Sequence, residues 1–363
     1  NAYCLLPINA TMPPMSNPRS ILVFLPNWVG DVVMATAALR GLREAFGSAE
    51  ITYFARAVPL ALLDGSEWFD AAITDGSGAR GTGLRDFLTA RRRLRRLRPD
   101  LAVLLPNSFR VAMLGWVGGA RRRVGYDRDG RGLLLTDKLA PPRDERGRLR
   151  AYPAVDYYID LVESLGVKVA SRTMHLPCES APGEAELVKA GYDPSRPLVM
   201  LNPAAANNVS KRWVPERFAA VGDGLVERAG AQIIINASPA ERGDVGPVSR
   251  AMRHRPLIDF AERDNSIVLL KSLVRRCDLL VTNDTGARHV AAAMGIGVVT
   301  VFISTDPLWT RIDYPKERIV SVNVPFAPCR PGSREHRRCT EGVTVEMVLN
   351  AAMELLSTGK EQS

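Results

Sequence analysis

The first feature of the sequence that suggests chemistry is a polar corner inside a hydrophobic segment, VTNDTGARHVAAAMGIGVVTVF, at residues 281–302. Residues 279–282 have the composition of a buried strand, and apolar side chains over 287–294 recur at helical spacing, so we predict a β-turn-α-β unit. The free N–H groups at the start of such a helix favour an anion, and phosphate is the obvious ligand. A plain helix cap by Asp284 or Thr285 explains the same residues equally well.

A second polar corner, PNWVGD, follows the first predicted strand. Gly30 and Asp31 lie where the strand gives way to a helix, at the edge where open α/β sheets bind ligands. Asp31 is therefore either the N-cap of this helix or a carboxylate directed at a ligand. Trp28 is either an exposed platform for a ligand or a packed loop residue.

Two corners in the second half of the chain carry charged side chains. Lys211 and Arg212 follow a predicted strand in NPAAANNVSKRW, and basic groups at this edge favour anionic ligands. Solvated surface charge is the alternative. Glu241, in SPAER, either reaches a ribose hydroxyl or is an acid favoured by the dipole of the following helix.

An arginine-rich segment, LRDFLTARRRLRRL at 84–97, predicts a helix with one broadly apolar face. The rest of its surface is crowded by Arg91, Arg92, Arg93, Arg95 and Arg96. A run of charge is usually a solvated face, but this one-sided excess favours contact with an anionic surface. Nucleic acid is the alternative partner, but the helix lacks interleaved aromatic residues and no recognised nucleic-acid-binding module surrounds it.

Length and composition restrict the class of protein. The 363 residues fit two domains, and the net charge of +9 indicates an anionic partner. No run approaches the roughly 20 apolar residues of a membrane-spanning helix. The five cysteines are scattered, which favours reduced thiols, and Cys329 and Cys339 with His336 fall short of a zinc site.

Strand-like and helical segments alternate along the chain, which predicts an α/β protein with parallel sheets in two Rossmann-like halves. In the first half we predict strands at 21–25, 51–55, 71–74 and 101–105 and helices at 32–46, near Leu60, at 84–97 and from Phe109. In the second half we predict strands at 198–202, 232–236, 279–282 and 297–303 and helices at 215–228, from Pro239, at 287–294 and at 345–356. Neither a dinucleotide fingerprint nor a P-loop motif occurs, so nicotinamide and P-loop enzymes are not expected.

Composition also predicts the domain boundaries. Residues 1–18 lack the basic start and apolar core of a signal peptide, and we expect an unstructured extension. The stretch 178–197, rich in Pro, Gly and polar residues, is the expected linker. The predicted domains are therefore 19–185 and 186–345, followed at 346–363 by a helix and tail able to pack back on the N-terminal domain.

Five stretches together resemble one family. ILVFLPNWVGDVVMATAALRGLR, LLPNSFR, NPAAANNVSKRW, SPAER and VTNDTGARHVAAAMGIGVVTVF resemble the lipopolysaccharide heptosyltransferases, and most of all their heptosyltransferase II branch. The resemblance runs from about residue 21 to residue 356. It implies a GT-B glycosyltransferase with an N-terminal acceptor-binding domain, a C-terminal domain that binds a nucleotide sugar, and parallel sheets facing an interdomain cleft.

The resemblance implies inverting transfer of heptose from ADP-heptose to the lipopolysaccharide inner core, without metal or cofactor. The acceptor would be an anionic glycolipid, a lipid A-core precursor. We expect a cytoplasmic monomer, peripheral at the inner face of the inner membrane, with no nucleic-acid partner. The alternatives are a related transferase using another nucleotide sugar or glycolipid, and a catalytically silent nucleotide-sugar-binding or basic membrane-associated protein.

The resemblance also assigns roles to residues. Asp31 matches the candidate general base, and Lys211 matches the lysine that holds the donor phosphate. The other expected donor-site residues are Pro203, Ala204, Glu241 (at the ribose) and the D-T-G-x-x-H signature at the diphosphate, Asp284, Thr285, Gly286 and His289. The expected acceptor-site residues are Trp28, Gly30, Asn107 and Ser108.

The chain departs from the family pattern beside the expected nucleotide. Ala204 stands where relatives usually have glycine, Asn236 and Ala237 replace a glycine-rich turn, and Arg288 replaces a smaller or apolar residue. Loss of the glycines restricts the backbone at these positions. The departures therefore bear on the identity of the donor.

Overall fold

The computed structural model describes residues 17–76, 83–205, 209–303, 306–322 and 333–360. The chain divides into two compact units: the residues up to His175 with Leu308–Ile312, and Leu176–Pro307 with the residues from Asp313 onward. Several features of the sequence lie outside the described residues. They are most of the expected extension, the centre of the glycine-rich stretch DGSGARGTG at 75–83, Asn207, Asn208, Cys4 and Cys329.

The first unit contains a parallel sheet of six strands in the order β3-β2-β1-β4-β5-β6. The strands are β1 (Ser20–Phe24), β2 (Glu50–Ala55), β3 (Ala71–Thr74), β4 (Leu101–Leu104), β5 (Arg122–Tyr126) and β6 (Asp137–Leu139). The helices are α1 (Val29–Ala45), α2 (Ala57–Leu63), α3 (Leu84–Leu97), α4 (Phe109–Val117) and α5 (Ala154–Glu163). The central strands are buried on both faces, as expected where helices cover a parallel sheet.

The second unit repeats this plan with a parallel sheet in the order β12-β11-β10-β7-β8-β9. The strands are β7 (Leu198–Asn202), β8 (Gln232–Ile235), β9 (Ile258–Asp259), β10 (Leu279–Asn283), β11 (Gly297–Val301) and β12 (Glu317–Val320). The helices are α6 (Ala181–Ala190), α7 (Pro215–Ala229), α8 (Arg242–Ala251), α9 (Ile267–Arg276), α10 (Gly286–Met294), α11 (Arg334–Gly342) and α12 (Val345–Lys360).

Both sheets have the Rossmann strand order. Counted from its own first strand, each sheet reads 3-2-1-4-5-6, which places the first and fourth strands side by side at the topological switch point. The prediction of two Rossmann-like halves is therefore confirmed. The predicted stop of α10 is also correct, since Gly295 ends the helix with a φ of 83° that glycine adopts without strain.

The expected linker at 178–197 is wrong in one respect, because its residues 181–190 form α6. Proline and glycine are common in loops, but Pro182 lies in the first turn of the helix, where its missing N–H costs nothing. Gly183 packs against α9, where its N–H donates to Ser272 Oγ at 2.7 Å. The division of the chain falls earlier, between His175 and Leu176.

Three further observations complete the description. The C-terminal helix α12 belongs to the second unit and packs on α7, with Leu349 against Gly224. Cys178 and Cys277 are free thiols, but Cys339 is disulfide-bonded, so the expectation that every thiol is reduced is wrong. Among the described residues, no helix combines the length and apolarity needed to cross a membrane.

Candidate functional site

The polar corners of the second unit meet at the carboxyl edge of its sheet. β10 pairs with β7, and the last paired residues are Thr282 and Asn202. The first turn of α10 follows β10 after two residues, so its N–H groups lie at this edge. The buried side chain of Asn283 joins the two corners, because it donates to Pro203 O at 2.7 Å and accepts from Trp213 N at 3.0 Å.

Lys211 and Asp284 form an ion pair at this corner. Lys211 Nζ lies 2.7 Å from Asp284 Oδ2 and 3.3 Å from the backbone oxygen of Asp284. The Asp284 side chain is 2% exposed and that of Lys211 is 23% exposed. Burial by itself would raise the pKa of Asp284, but the charge and hydrogen bond of Lys211, followed by the charge of Arg288, lower it. Asp284 is thus ionised, and Lys211 remains accessible to a ligand.

Arg288, one of the departures from the family pattern, is fully buried beside this pair. Its guanidinium makes a bidentate contact with Glu317, with Nε–Oε1 at 2.6 Å and Nη2–Oε2 at 2.9 Å, and Nη1 lies 3.5 Å from Asp284 Oδ1. Thr300 also donates to Glu317, at 2.6 Å, and the guanidinium lies over the Phe302 ring. The bulky cation is therefore tolerated because β12 supplies a carboxylate for it.

His289 lies in the same helix and is neutral. Burial, and then the positive charge of Arg288, lower its pKa to about 3, so the imidazole carries no charge at neutral pH. Its Nδ1 is buried and has no hydrogen-bond partner among the described residues. His289 can therefore offer a ligand a neutral donor or acceptor, but no positive charge.

The start of α10 is not closed by a side-chain cap. Thr285 occupies the N-cap position, yet its side chain makes no capping hydrogen bond and instead accepts from Asn202 Nδ2 at 3.1 Å. Asp284 is engaged by Lys211. Gly286 begins the helix without a side chain over the free N–H groups. The plain-cap interpretation of Asp284 and Thr285 is therefore wrong, and the helix start can receive an anion.

The remaining donor-site candidates line the loops after β7 and β8. Pro203 and the buried Ala204 directly follow β7. Arg212 pairs with Asp244 at 2.8 Å, so it is not a free surface charge. Glu241 is the N-cap residue of α8, which begins at Arg242 rather than at the predicted Pro239, and its carboxylate accepts from the amide and hydroxyl of Ser238.

In the first unit, Asp31 lies in the first turn of α1. The cap position belongs to Trp28, so the N-cap interpretation of Asp31 is wrong, although the helix dipole favours a carboxylate here. Gly30 precedes Asp31 in the same turn. Trp28 is 58% exposed, which excludes its alternative role as a packed loop residue. Burial, and next the charge of Asp31, raise the pKa of the neighbouring Tyr158 well above its ordinary value.

Asn107 is held by two donors that sequence reasoning missed. Its Oδ1 accepts from Arg131 Nη2 at 3.0 Å and from the Tyr157 hydroxyl at 3.2 Å, so its amide group is fixed in orientation. Arg131 is fully buried, and burial lowers its pKa to about 10. Neighbouring Ser108 caps α4 by accepting from Val111 N at 3.5 Å.

Two Rossmann-like units in one chain have the architecture of the GT-B fold class, and the second unit carries a lysine-carboxylate pair at a helix start. The model of glycosyltransferase family 9 (heptosyltransferase) matches residues 87–338, and the chain belongs to this family. The resemblance inferred from the sequence motifs is confirmed. Among the described residues, no group of three or more His, Cys, Asp or Glu side chains is placed to hold a metal ion.

Individual relatives cover nearly the whole chain. Lipopolysaccharide heptosyltransferase 2 of Salmonella typhimurium is 27% identical over 355 residues, which are 93% of this chain and 98% of that protein. The structure of E. coli ADP-heptose lps heptosyltransferase II superimposes with a TM-score of 0.76 at 24% identity, covering 94% of this chain and 99% of that one. A glycosyl transferase family 9 structure from Veillonella parvula superimposes with a TM-score of 0.79 at 22% identity. The match covers 94% of this chain and 100% of that one. These structures share the fold of this chain.

Proposed function

We propose that this protein is an inverting heptosyltransferase that moves heptose from ADP-heptose to the lipopolysaccharide inner core. The observation that carries the proposal is the Lys211–Asp284 pair beside the uncapped start of α10, in a chain of glycosyltransferase family 9. A cation and free N–H groups that converge on one point suit a diphosphate leaving group.

In the proposed reaction, Asp31 accepts the proton of the acceptor hydroxyl as its oxygen attacks the anomeric carbon of the heptose. The bond from that carbon to the diphosphate oxygen breaks, and ADP leaves with the electron pair. Lys211 and the N–H groups at the start of α10 stabilise the charge that gathers on the departing diphosphate. No covalent intermediate with the enzyme is needed, and the configuration at the anomeric carbon inverts.

The site residues also support a reaction without a metal ion. Asp284 is the acidic side chain at the diphosphate corner, and Lys211 and Arg288 both engage it. A carboxylate already shared by two cations is a poor ligand for magnesium. Lys211 and the helix start would then supply the positive charge that a metal supplies in other transferases.

Calorimetric titration tests the assignment of the donor. We expect ADP and ADP-heptose to bind more tightly than UDP or GDP, and heptose transfer to be undiminished in excess chelator. Tighter binding of UDP would contradict the ADP-heptose assignment and leave the fold unaffected. Binding of ADP-heptose without any turnover on a lipid A-core acceptor would identify the catalytically silent alternative.

We also propose that α3 attaches the protein to anionic lipid at the inner face of the inner membrane, where its glycolipid acceptor would lie. The helix packs inward through the buried Ala90 and Leu94. Its outer side has a shallow depression of about 320 Å³ lined by Leu88, Arg91, Arg92, Arg95 and Arg96. None of these four arginines pairs with a carboxylate in the described part of the chain.

Apolar groups accompany this charge. Leu84 is 74% exposed and Leu88 is 46% exposed on α3. On α4, which packs beside α3 where Gly118 meets Leu94, Trp116 is 56% exposed. Arginines interspersed with exposed leucine and tryptophan are typical of surfaces that rest in the headgroup region of a bilayer.

The combined replacement of Arg92, Arg95 and Arg96 with glutamine should weaken binding to phosphatidylethanolamine–phosphatidylglycerol vesicles on the order of 100-fold at low salt, since each basic residue contributes about 1 kcal/mol near such a surface. Vesicle co-sedimentation measures this, and ADP affinity should not change. The same charge change at the exposed Arg250, Arg255 and Arg275 of the second unit is the control. If both triple variants lose vesicle binding equally, the loss reflects the change in net charge, and α3 is not a specific membrane-binding surface.

A further inference from the structure

A row of hydrogen-bonded asparagines crosses the carboxyl edge of the second sheet. Asn265 Nδ2 donates to Asn236 Oδ1 at 2.7 Å, Asn236 Nδ2 donates to Asn202 Oδ1 at 2.6 Å, and Asn202 Nδ2 donates to Thr285 Oγ1 at 3.1 Å and Thr282 Oγ1 at 3.0 Å. We call these three residues the asparagine row. Asn202 and Asn236 are each 5% exposed. Asn236 is one of the departures from the family pattern.

The row has a defined direction. The Thr282 hydroxyl donates to Asn283 O at 2.8 Å, so its oxygen can only accept from Asn202. Asn202 must therefore turn Nδ2 toward the threonines and Oδ1 toward Asn236. As a result Asn236 donates through Nδ2 to Asn202 and accepts through Oδ1 from Asn265 Nδ2. In Asn265 the amide nitrogen is thus committed to the row, and the oxygen lies at its end.

That terminal oxygen lacks a hydrogen bond. Asn265 Oδ1 is buried, and no donor reaches it among the described residues. A buried acceptor without a partner costs about 1–3 kcal/mol, so a donor supplied by a ligand is the natural partner.

The position of Asn265 tells which part of a ligand would supply this donor. The sheet order places β10, β7, β8 and β9 side by side, and the row follows it: Thr285 after β10, Asn202 on β7, Asn236 after β8 and Asn265 after β9. Three strand spacings of about 4.8 Å separate the two ends by about 14 Å. This is comparable to the length of an extended nucleoside diphosphate from its terminal phosphate to the far edge of its base.

We propose that Asn265 Oδ1 accepts a hydrogen bond from the exocyclic amino group of adenine and so selects the base of the donor, with Asn236 as the residue that positions it. This inference rests on the proposed function, which places the diphosphate at Lys211, and on the family resemblance, which implies that the ribose lies near Glu241 in the loop after β8. The base is then the part of the nucleotide that lies at the β9 end of the row, next to Asn265. Guanine and uracil carry a carbonyl oxygen where adenine or cytosine carries the amino group, and that oxygen would repel Asn265 Oδ1.

The test compares ADP with inosine diphosphate, which has a carbonyl oxygen in place of the adenine amino group, by calorimetry on the full chain. The wild-type protein should bind ADP about tenfold or more tightly than inosine diphosphate. Asn265→Ala should weaken the binding of ADP by about tenfold and keep the affinity for inosine diphosphate within about twofold of the wild-type value. The preference for ADP should therefore disappear. Asn236→Ala should reduce the preference in part, because Asn265 keeps its oxygen but loses the group that orients it.

The control is Asn350→Ala, an exposed asparagine of α12 outside the row, which should change neither affinity. Equal weakening of both ligands by Asn265→Ala would overturn the proposal, as would a wild-type protein that binds them equally well. Loss of discrimination against 2′-deoxy-ADP instead would assign Asn265 to the ribose and also overturn it. If the wild-type protein binds UDP more tightly than ADP, the proposed donor is itself contradicted. This outcome is measured on the wild-type protein alone, so it is distinct from a failure of the Asn265 proposal.

Discussion

Asp31→Asn should lower the turnover of heptose transfer by about 10²–10⁴-fold, the usual contribution of a positioned general base, and leave ADP affinity unchanged. The amide has nearly the size of the carboxylate and keeps its hydrogen-bonding oxygen, but it cannot take the acceptor proton. Because donor contacts are assigned to the second unit, binding of ADP should not depend on this substitution. Single-turnover kinetics and calorimetry measure the two quantities separately.

Asp86→Asn is the matched control for this experiment. Asp86 is also a carboxylate in the first turn of a helix of the first unit, at the start of α3, so the same substitution removes the same favourable interaction with a helix dipole. Its turnover should stay near that of the wild type. If Asp31→Asn lowers the melting temperature as Asp86→Asn does and turnover stays near normal, Asp31 only stabilises α1, and His289 is the next residue to test as the base.

The architecture could be predicted because its signals are local. Alternating apolar strands and amphipathic helices identified most of the first four strands of each sheet, and glycines such as Gly295 marked helix ends. In the first unit the sequence did not predict β5, β6 or α5, and in the second it predicted β11 and α12 but not α6, β9, α9, β12 or α11. β5 begins with two arginines, β6 and β9 are only two or three residues long, and α6 begins in a segment with the composition of a linker. These elements therefore lack a clear hydrophobic periodicity.

The site could be predicted only as far as motifs reach. Lys211 and Asp284 are 73 residues apart, and their pairing follows from the adjacency of β7 and β10, which the resemblance supplied and periodicity could not. Glu317 and Asn265 could not be identified from the sequence. The role of each depends on a hydrogen-bond partner from another strand or loop, Arg288 for Glu317 and Asn236 for Asn265. Arg288 was visible as a departure from the pattern, but its counter-charge on β12 was not.

Lys211→Ala should weaken ADP binding by about 10- to 100-fold, the loss expected for a charged hydrogen bond, and should lower turnover further. The diphosphate is charged in the bound donor and gains charge as the sugar leaves, so Lys211 contributes more in the transition state than in the ground state. Calorimetry gives the first effect and single-turnover rates give the second. Asp31→Asn, by contrast, should change the rate alone.

A second interpretation of such a loss must be separated from the first. Asp284 is almost completely buried, and without Lys211 it keeps Arg288 as a cationic neighbour, but Arg288 lies 3.5 Å away and is already held by Glu317. Lys211→Ala could therefore weaken ADP binding because the unbalanced carboxylate repels the diphosphate. The double variant Lys211→Ala with Asp284→Asn removes both charges. If Lys211 only neutralises Asp284, the double variant should recover ADP affinity and turnover; if Lys211 binds the diphosphate, as we propose, both should stay low.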